Sequence, residues 1–317
     1  SQGIANIAVM NASGYEAAVP GNNEGLTFTS DILRNAYENH AAFPVLGSNL
    51  RKMDTQRIPP WLKPYLILRK KDLRIGLIGV TIPYRNFYKL LGWDVDDPLE
   101  TVGKWVRFLR PQVDVIIVLS HLGLPGDKQL AAEIEGIDCI LGAHTHHLLE
   151  KPLLIDGTLV CGAGKFGEYV GMLEVQFDFK ERRLEMVKGE CIDVSTFADD
   201  VKIASIIRTY REKSEMALER KIAHLDQPLP VELGQESPLG NLLAAGVRKW
   251  VGADIGLVNA GQFLEGLREG IVTERKLLEI CPSPINPCRI LLKGKHIWQA
   301  LEEALLPEFI YRPIRGF

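Results

Sequence analysis

The chain has 317 residues, a length typical of about two domains of roughly 150 residues each. Apolar residues make up 46% of it and charged residues 24%, which excludes an intrinsically disordered chain. The net charge of −3 lacks the basic excess of a dedicated nucleic-acid binder, and no apolar run approaches the ~20 residues of a membrane helix, so neither nucleic acid nor a membrane is an expected partner.

Helix and strand patterns alternate over the first part of the chain and predict an α/β domain with a mixed sheet. The first long helix places Leu33, Ala36 and Tyr37 on one face. The strands are short apolar runs such as RIGLIGVT, which is typical of buried strands. In chain order, the patterns predict a helix over residues 29–40, strands over 43–50 and 74–81, a helix over 98–110, a strand over 114–120, a helix over 128–135, strands over 138–142 and 158–161, and an antiparallel strand over 170–179.

A long polar helix then separates this region from a second one. Asp199 and Asp200 are suited to cap a helix that runs to about residue 221. Beyond it, the sequence predicts a helix over 239–251, a strand over 255–259 and a helix starting near Trp298. We therefore predict a first domain over residues 1–198, a linker helix over 199–221 and a second α/β domain over 222–317.

Two predicted strands end in histidine. The run DVIIVLS leads directly into His121, and DCILGA leads into His144, Thr145 and His146. Because ligands of α/β sheets bind at the carboxyl ends of strands, these imidazoles are expected at one edge. An extended backbone would also place His144 and His146 on the same side. A histidine at a strand end can simply bond to a loop, but three at two strand ends favour a site for zinc, manganese, iron, nickel or copper.

Two glycine-containing loops need separate interpretation. In the loop over residues 19–25, an amide oxygen of Asn22 or Asn23 could bind a cation, although this pattern taken alone indicates only a turn. Residues 162–167 match G-x-G-x-x-G after a strand. A dinucleotide fingerprint needs a helix next, whereas the following residues alternate like a strand, so we interpret these glycines as close backbone packing.

The cysteines are five in number, scattered and without a C-x-x-C pair. A disulfide framework is therefore not expected, and a reducing, cytoplasmic compartment is weakly favoured. The sequence does not determine the compartment or the oligomeric state.

Taken together, the motifs resemble those of the 5′-nucleotidase branch of the calcineurin-like metallophosphoesterases. GNNE at residues 21–24, SHLG at 120–123 and GAHTH at 142–146 occur in the order of that family. ESPLGNL at 236–242 and IGLVNAG at 255–261 resemble motifs of its C-terminal domain. The resemblance implies a mixed β-sandwich flanked by helices, followed by a second α/β domain. Members of the family are often exported, which opposes the cysteine pattern.

The resemblance also implies roles for single residues. Asn22, His121 and His144 would bind one divalent metal ion and His146 a second, the ions being manganese, zinc or iron. Asn23 occupies the position of the catalytic histidine. Asn259 and Asn286 would contact the substrate, although asparagine in turns is more often structural.

The sequence departs from the family pattern in three respects. No D-x-H motif precedes residue 21, so we expect a fragment without the first strand and the bridging aspartate, with weak activity or none. Asn23 cannot protonate a leaving group. The second domain lacks the arginine and the phenylalanine of the motifs around Asn259 and Asn286, which leaves nucleoside specificity open.

From this resemblance we expect two-metal hydrolysis of a phosphomonoester, with a nucleotide as the substrate. One alternative is a catalytically degenerate protein that binds a nucleotide or a metal. Another is a hydrolase of a different phosphoester, such as a cyclic phosphodiester.

Overall fold

The computed structural model describes residues 2–282 and 287–311. The chain divides into two compact units, the first ending at Tyr210 and the second beginning at Arg211. A helix over Val201–Leu218 runs across this division, inside the segment predicted as a linker. Asp200 caps it, since Oδ1 accepts a hydrogen bond from the backbone N–H of Ile203 at 2.9 Å. The predicted boundaries at residues 198 and 222 remain predictions.

The helices and strands follow the predicted alternation. The α-helices are α1 Ile4–Ala12, α2 Asn22–Thr27, α3 Ser30–His40, α4 Arg85–Leu90, α5 Pro98–Leu109, α6 Leu124–Glu133, α7 Val201–Leu218, α8 Pro238–Val251, α9 Glu274–Ile280, α10 Gly294–Ala304 and α11 Pro307–Ile310, and a 3-10 helix covers Ala260–Gln262. The strands are β1 Val45–Leu46, β2 Leu50–Lys52, β3 Leu62–Lys63, β4 Leu66–Lys70, β5 Leu73–Thr81, β6 Trp93–Val95, β7 Val115–His121, β8 Cys139–Gly142, β9 Leu153–Ile155, β10 Thr158–Gly162, β11 Tyr169–Asp178, β12 Arg183–Asp193, β13 Lys221–Leu225 and β14 Gly270–Thr273.

A six-stranded mixed sheet forms the centre of the first unit, in the order β4-β5-β7-β8-β10-β9. Strands β5, β7, β8 and β10 are parallel, whereas β4 and β9 run antiparallel to their neighbours at the two edges. The register pairs Thr81 with His121 and Ser120 with Gly142. The carboxyl ends of these strands therefore lie side by side, and the predicted α/β class with a mixed sheet is confirmed.

Apolar side chains from the parallel strands form the main core. Ile78, Val118, Ile140 and Val160, one from each parallel strand, are fully buried in one cluster. Such β-branched residues favour pleated, buried strands, and each buried side chain stabilises the fold by about 1.5–3 kcal/mol. Helices α5 and α6 contribute further residues to this cluster. The strand ends that carry the histidines are thus anchored in the most buried part of the unit.

A second core lies beneath helices α1 and α3. Trp61 stacks on Tyr37 at 5.5 Å and meets Trp93 edge-on at 6.2 Å. Tyr88 is fully buried in the same cluster, and a Cβ at Gly25 of α2 would come within 2.3 Å of its ring. Because only a glycine allows this approach, α2 rests directly on the aromatic core.

The strand predicted over residues 43–50 is divided in the structure into β1 and β2. Asn49, which is fully buried, interrupts it. Its Oδ1 accepts a hydrogen bond from the N–H of Thr81 at 3.0 Å, and its Nδ2 donates to the carbonyl of Thr81 at 2.8 Å. The side chain takes the place of a strand partner at the end of β5.

An antiparallel hairpin, β11–β12, follows the glycine loop over residues 162–167. The residues after the loop form a strand and not a helix, which confirms that the G-x-G-x-x-G match is not a dinucleotide site. A Cβ at Gly162 would lie 2.8 Å from the carbonyl oxygen of His147, so close backbone packing explains this glycine.

The second unit has a smaller core, formed by Leu239, Phe263, Leu267, Val272 and Ile280. Strands β13 and β14 pair antiparallel in it. The helix predicted near residue 298 begins four residues earlier, at Gly294. No membrane-spanning helix, judged by length and apolar character, is present among residues 2–282 and 287–311.

The strand predicted over residues 255–259 is wrong, because the structure assigns no strand to this segment. Ile255 is 55% exposed and Leu257 76% exposed. The alternating pattern of this segment fits a strand, but β13 and β14 pair with each other and leave it without a ladder partner in the described residues.

Candidate metal centre

The three residues predicted to bind one metal ion lie together in the first unit. They are Asn22, His121 and His144. His121 is the last residue of β7, and His144 follows β8 by two residues. Since β7 and β8 are parallel neighbours, the two imidazoles meet at one edge of the sheet. Asn22 is the first residue of α2, which reaches the same edge.

The amide oxygen of Asn22 lies between the two imidazoles. Asn22 Oδ1 is 2.9 Å from His121 Nε2 and 3.0 Å from His144 Nδ1. The ring centroids are 5.1 Å apart, with the planes inclined by 61°. Because an amide oxygen only accepts, the facing nitrogen of each ring carries a proton in this metal-free arrangement. Imidazole nitrogen and amide oxygen are ligands of divalent transition metals, so the three atoms converge as a donor set.

Close packing of the backbone holds Asn22 in this place. A Cβ at Gly21 would lie 2.6 Å from Cε1 of His121, so the imidazole ring packs directly on the glycine. The carboxylate of Glu24 accepts a hydrogen bond from the N–H of Gly21 at 2.7 Å and caps the start of α2. The GNNE motif therefore combines a glycine for close approach, a ligand and a cap.

Both imidazoles are neutral at neutral pH. Burial, with smaller effects from His144 and His146, lowers the pKa of His121 to about 4. Burial, followed by the influence of His146, also lowers the pKa of His144. Neutral imidazole is the form that binds a metal, so these environments favour the ligand state.

His146 lies near the other two histidines, since its charge affects the pKa of both. The extended backbone that was predicted for residues 144–146 is wrong, however. His144 has φ 72° and His146 has φ 56°, both left-handed. The two side chains share the edge because the loop curls there, and not because of strand alternation.

Hydrogen bonds around Thr145 fix this loop. Thr145 Oγ1 accepts from the N–H of Leu124 at 3.0 Å and lies 2.8 Å from Nδ1 of His147. Gly123, with φ 87°, packs against the same side chain. The loop after β8 is thereby joined to the start of α6, and His147 serves as a support.

Asn23, the predicted catalytic residue, is exposed beside the donor set. Its Oδ1 accepts a hydrogen bond from Asn22 Nδ2 at 3.2 Å. This bond orients the Asn22 amide with its oxygen toward the histidines, and it leaves the Nδ2 group of Asn23 as a donor for a ligand.

A buried carboxyl group lies behind the histidines. Asp127, in α6, is 2% exposed and accepts a short hydrogen bond from the hydroxyl of Ser120. A Cβ at Gly142 would meet Asp127 Oδ2 at 2.2 Å. Burial, against the opposing effect of the Ser120 bond, raises the pKa of Asp127 to about 7. Asp127 therefore connects α6 with the ends of β7 and β8.

Comparisons with known proteins identify the family of the chain. A family model for calcineurin-like phosphoesterases matches residues 6–148, and a model for the 5′-nucleotidase C-terminal domain matches residues 221–310. The uncharacterized metallophosphoesterase YunD of Bacillus subtilis is 35% identical over 99% of this chain, which spans 68% of that protein.

The chain belongs to the calcineurin-like metallophosphoesterases, in the 5′-nucleotidase branch. The trifunctional nucleotide phosphoesterase protein YfkN of Bacillus subtilis is 26% identical to the present chain. The match covers 96% of the present chain and 24% of YfkN. The crystal structure of a 5′-nucleotidase precursor from Thermus thermophilus superimposes with a TM-score of 0.67 and 28% identity, over 89% of this chain and 61% of that one. The metallophosphoesterase thus spans less than two thirds of the length of these last two proteins.

The three converging atoms have the chemistry of a divalent metal site. Over residues 2–282 and 287–311, no group of three or more histidine, cysteine, aspartate or glutamate side chains could hold a metal ion. A metal ion at this edge of the sheet would therefore need the amide oxygen of Asn22 together with His121 and His144.

The two predicted substrate contacts fall in the second unit. Asn259 is exposed, and its Oδ1 accepts a hydrogen bond from the N–H of Gly261 at 2.9 Å. It caps the 3-10 helix with its oxygen, and its amide nitrogen remains a potential donor. Asn286 lies outside the described residues, and its role remains a prediction.

Two residues beside the candidate metal site, Tyr84 and Asp127, were not predicted from the sequence. Tyr84 follows the carboxyl end of β5, and its hydroxyl is 3.2 Å from Nε2 of His144. The rule that located the histidines, applied to this third strand end, would have found it. Asp127 gave no such signal, since a helical aspartate followed by lysine is typical of an exposed helix start.

Proposed function

We propose that this metallophosphoesterase hydrolyses phosphate monoesters of nucleotides with two divalent metal ions. The observation that carries the proposal is the convergence of His121 Nε2 and His144 Nδ1 on Asn22 Oδ1. These atoms would hold one ion, and His146 would contribute to the second. Bound divalent ions lower the pKa of a water molecule and stabilise charge on phosphoryl oxygens.

The protein's own groups would bind and orient the phosphate. Asn23 Nδ2 is suited to donate a hydrogen bond to a phosphoryl oxygen, because its other amide atom is engaged by Asn22. An amide cannot protonate the leaving oxygen, so the residue supports binding more than departure of the leaving group. We expect slow turnover of esters whose leaving group is a poor one.

A nucleotide substrate is supported by the family and by the relatives. YfkN is named as a nucleotide phosphoesterase, and a C-terminal domain of the 5′-nucleotidase type is matched in the second unit. In this proposal, residues 1–198 hold the metals, residues 199–221 link the domains, and residues 222–317 bind the substrate through Asn259 and Asn286.

Metal content tests the proposal most directly. The chain is loaded with Mn²⁺ or Zn²⁺, desalted and subjected to elemental analysis. About two ions per chain would support the two-metal proposal and one ion a single site, with loss of metal in His121→Ala and His144→Ala. His296→Ala serves as the control, because this exposed histidine lies in α10 of the second unit. No bound ion in the wild-type chain, or equal content in all four proteins, would overturn the metal assignment.

A second candidate is a protein that binds nucleotides and metals without catalysis, which the Asn23 substitution favours. Turnover of AMP, a cyclic nucleotide and p-nitrophenyl phosphate by the loaded chain separates the possibilities. Hydrolysis of AMP supports the nucleotidase, and hydrolysis of the cyclic nucleotide alone indicates a phosphodiesterase. Saturable AMP binding without any turnover establishes the degenerate binder.

A further inference from the structure

Tyr84 faces the side of His144 that is turned away from Asn22. Its hydroxyl oxygen is 3.2 Å from His144 Nε2, and the ring centroids are 5.9 Å apart. Both nitrogens of His144 are therefore engaged, Nδ1 by Asn22 and Nε2 by Tyr84.

The backbone around Tyr84 is held to the same sheet edge. The N–H of Ile82 donates to the carbonyl of His121 at 3.1 Å, and the N–H of Tyr84 donates to Ile82 at 3.0 Å. The carbonyl of Tyr84 accepts from Phe87 and Tyr88, each at 3.0 Å, at the start of α4. The hydroxyl is thus placed by β5 and α4, and not by a free loop.

We propose that Tyr84 is a positioning residue that sets the ring orientation of His144 in either of its neutral tautomers. The inference rests on the proposed function in one respect: the hydrogen bond from Tyr84 would strengthen metal binding by His144. Tyr84 acts through His144 and touches no reacting atom. A hydrogen bond to the second nitrogen of a metal-binding histidine generally fixes its tautomer and orientation.

A hydroxyl suits this position because it both donates and accepts. In the metal-free protein, His144 Nδ1–H donates to Asn22, so Nε2 has a lone pair and accepts from the Tyr84 hydroxyl. When Nδ1 gives up its proton to act as a ligand, Nε2 carries the proton and donates to the Tyr84 oxygen. Rotation of a single O–H bond therefore satisfies both tautomers without movement of the ring.

Tyr84→Phe tests the proposal, since it removes the hydroxyl and keeps the ring. Tyr15→Phe is the matched control, because Tyr15 is a half-exposed tyrosine that packs on Phe43. Imidazole ¹⁵N shifts are recorded at pH 8 with EDTA present, and Zn²⁺ or Mn²⁺ affinity is measured by calorimetry. The wild type should show His144 in the Nδ1–H form.

In Tyr84→Phe, we expect the ¹⁵N resonance of His144 Nε2 to shift, because its hydrogen bond is lost, and metal affinity to fall about 10- to 100-fold. The unfolding temperature with EDTA should stay close to that of the control. Unchanged ¹⁵N shifts in Tyr84→Phe would overturn the proposal, whatever the metal affinity. If the wild-type chain binds no metal, the proposed function fails, while the ¹⁵N measurement still decides the role of Tyr84.

Discussion

At the scale of single residues, Asn23 is the side chain with the clearest effect on chemistry. It lies beside the donor set, where Asn22 orients its amide. Histidine at this position could bind a phosphoryl oxygen and also deliver a proton, whereas asparagine can only bind. This difference predicts a dependence on the leaving group.

Asn23→His should therefore increase kcat for AMP by about 10²-fold, because general acid catalysis typically contributes at least this factor. Turnover of p-nitrophenyl phosphate should change much less, since its leaving group departs without protonation. Steady-state kinetics of both esters with the same metal-loaded preparation provides the comparison. Equal increases for the two esters would show that the histidine acts on binding and not as an acid.

At the scale of elements, Asp127 connects α6 to the strand ends that carry the histidines. Its folded-state pKa of about 7 lies above the unfolded value of about 3.9. The folded protein thus binds this proton more tightly, so the contribution of Asp127 to stability falls as pH rises between these values. An asparagine could accept the same Ser120 hydrogen bond without titrating.

Asp127→Asn should become more stable relative to the wild type as pH rises from 5 to 8, by up to about 2.6 kcal/mol. Urea unfolding of both proteins at several pH values measures this difference in stability. The histidines are present in both proteins, so the effect of their titration cancels in the difference. Asp114→Asn is the control, because its stability relative to the wild type should stay nearly constant between pH 5 and 8. Burial acts to raise the pKa of Asp114, but hydrogen bonds and charge from Arg74 and Arg182 lower it below its ordinary value. A stability difference that does not vary with pH would disprove the buried-proton interpretation of Asp127.

The elements also show what the sequence could predict. Runs such as DVIIVLS specify buried parallel strands by composition alone, and strand direction then brings His121 and His144 together. The left-handed backbone at His144 and His146 could not be predicted, because it depends on the bonds of Thr145 to α6. Tyr84 could have been predicted near the histidines, because it follows the carboxyl end of β5, but its contact with His144 depends on the turn that leads into α4. The segment 255–259 was predicted wrongly because a strand also needs a partner.

At the scale of the whole molecule, the described donor atoms of the metal site all come from the first unit. They are contributed by α2, the end of β7 and the loop after β8. Binding of a ligand stabilises the folded segments that form its site. The gain in folding free energy is about 2.7 kcal/mol at a ligand concentration of 100 times Kd.

Zn²⁺ or Mn²⁺ should therefore slow amide hydrogen exchange mainly in α2 and in the segments that follow β7 and β8. Exchange in β13 and β14 of the second unit should change little. Mass spectrometry of peptides from metal-loaded and EDTA-treated protein measures both regions in one experiment. Protection that is confined to the second unit would place the ion elsewhere.

The single amide oxygen between two imidazoles also affects how fast an ion can be taken up. In the metal-free protein, Asn22 Oδ1 holds His121 and His144 by hydrogen bonds at nearly equal distances. The two rings thus already face one common atom, so no strand or helix has to move to bring them together. Binding of a cation then requires that each facing nitrogen release its proton while the other nitrogen of the same ring takes one up, so that both imidazoles stay neutral.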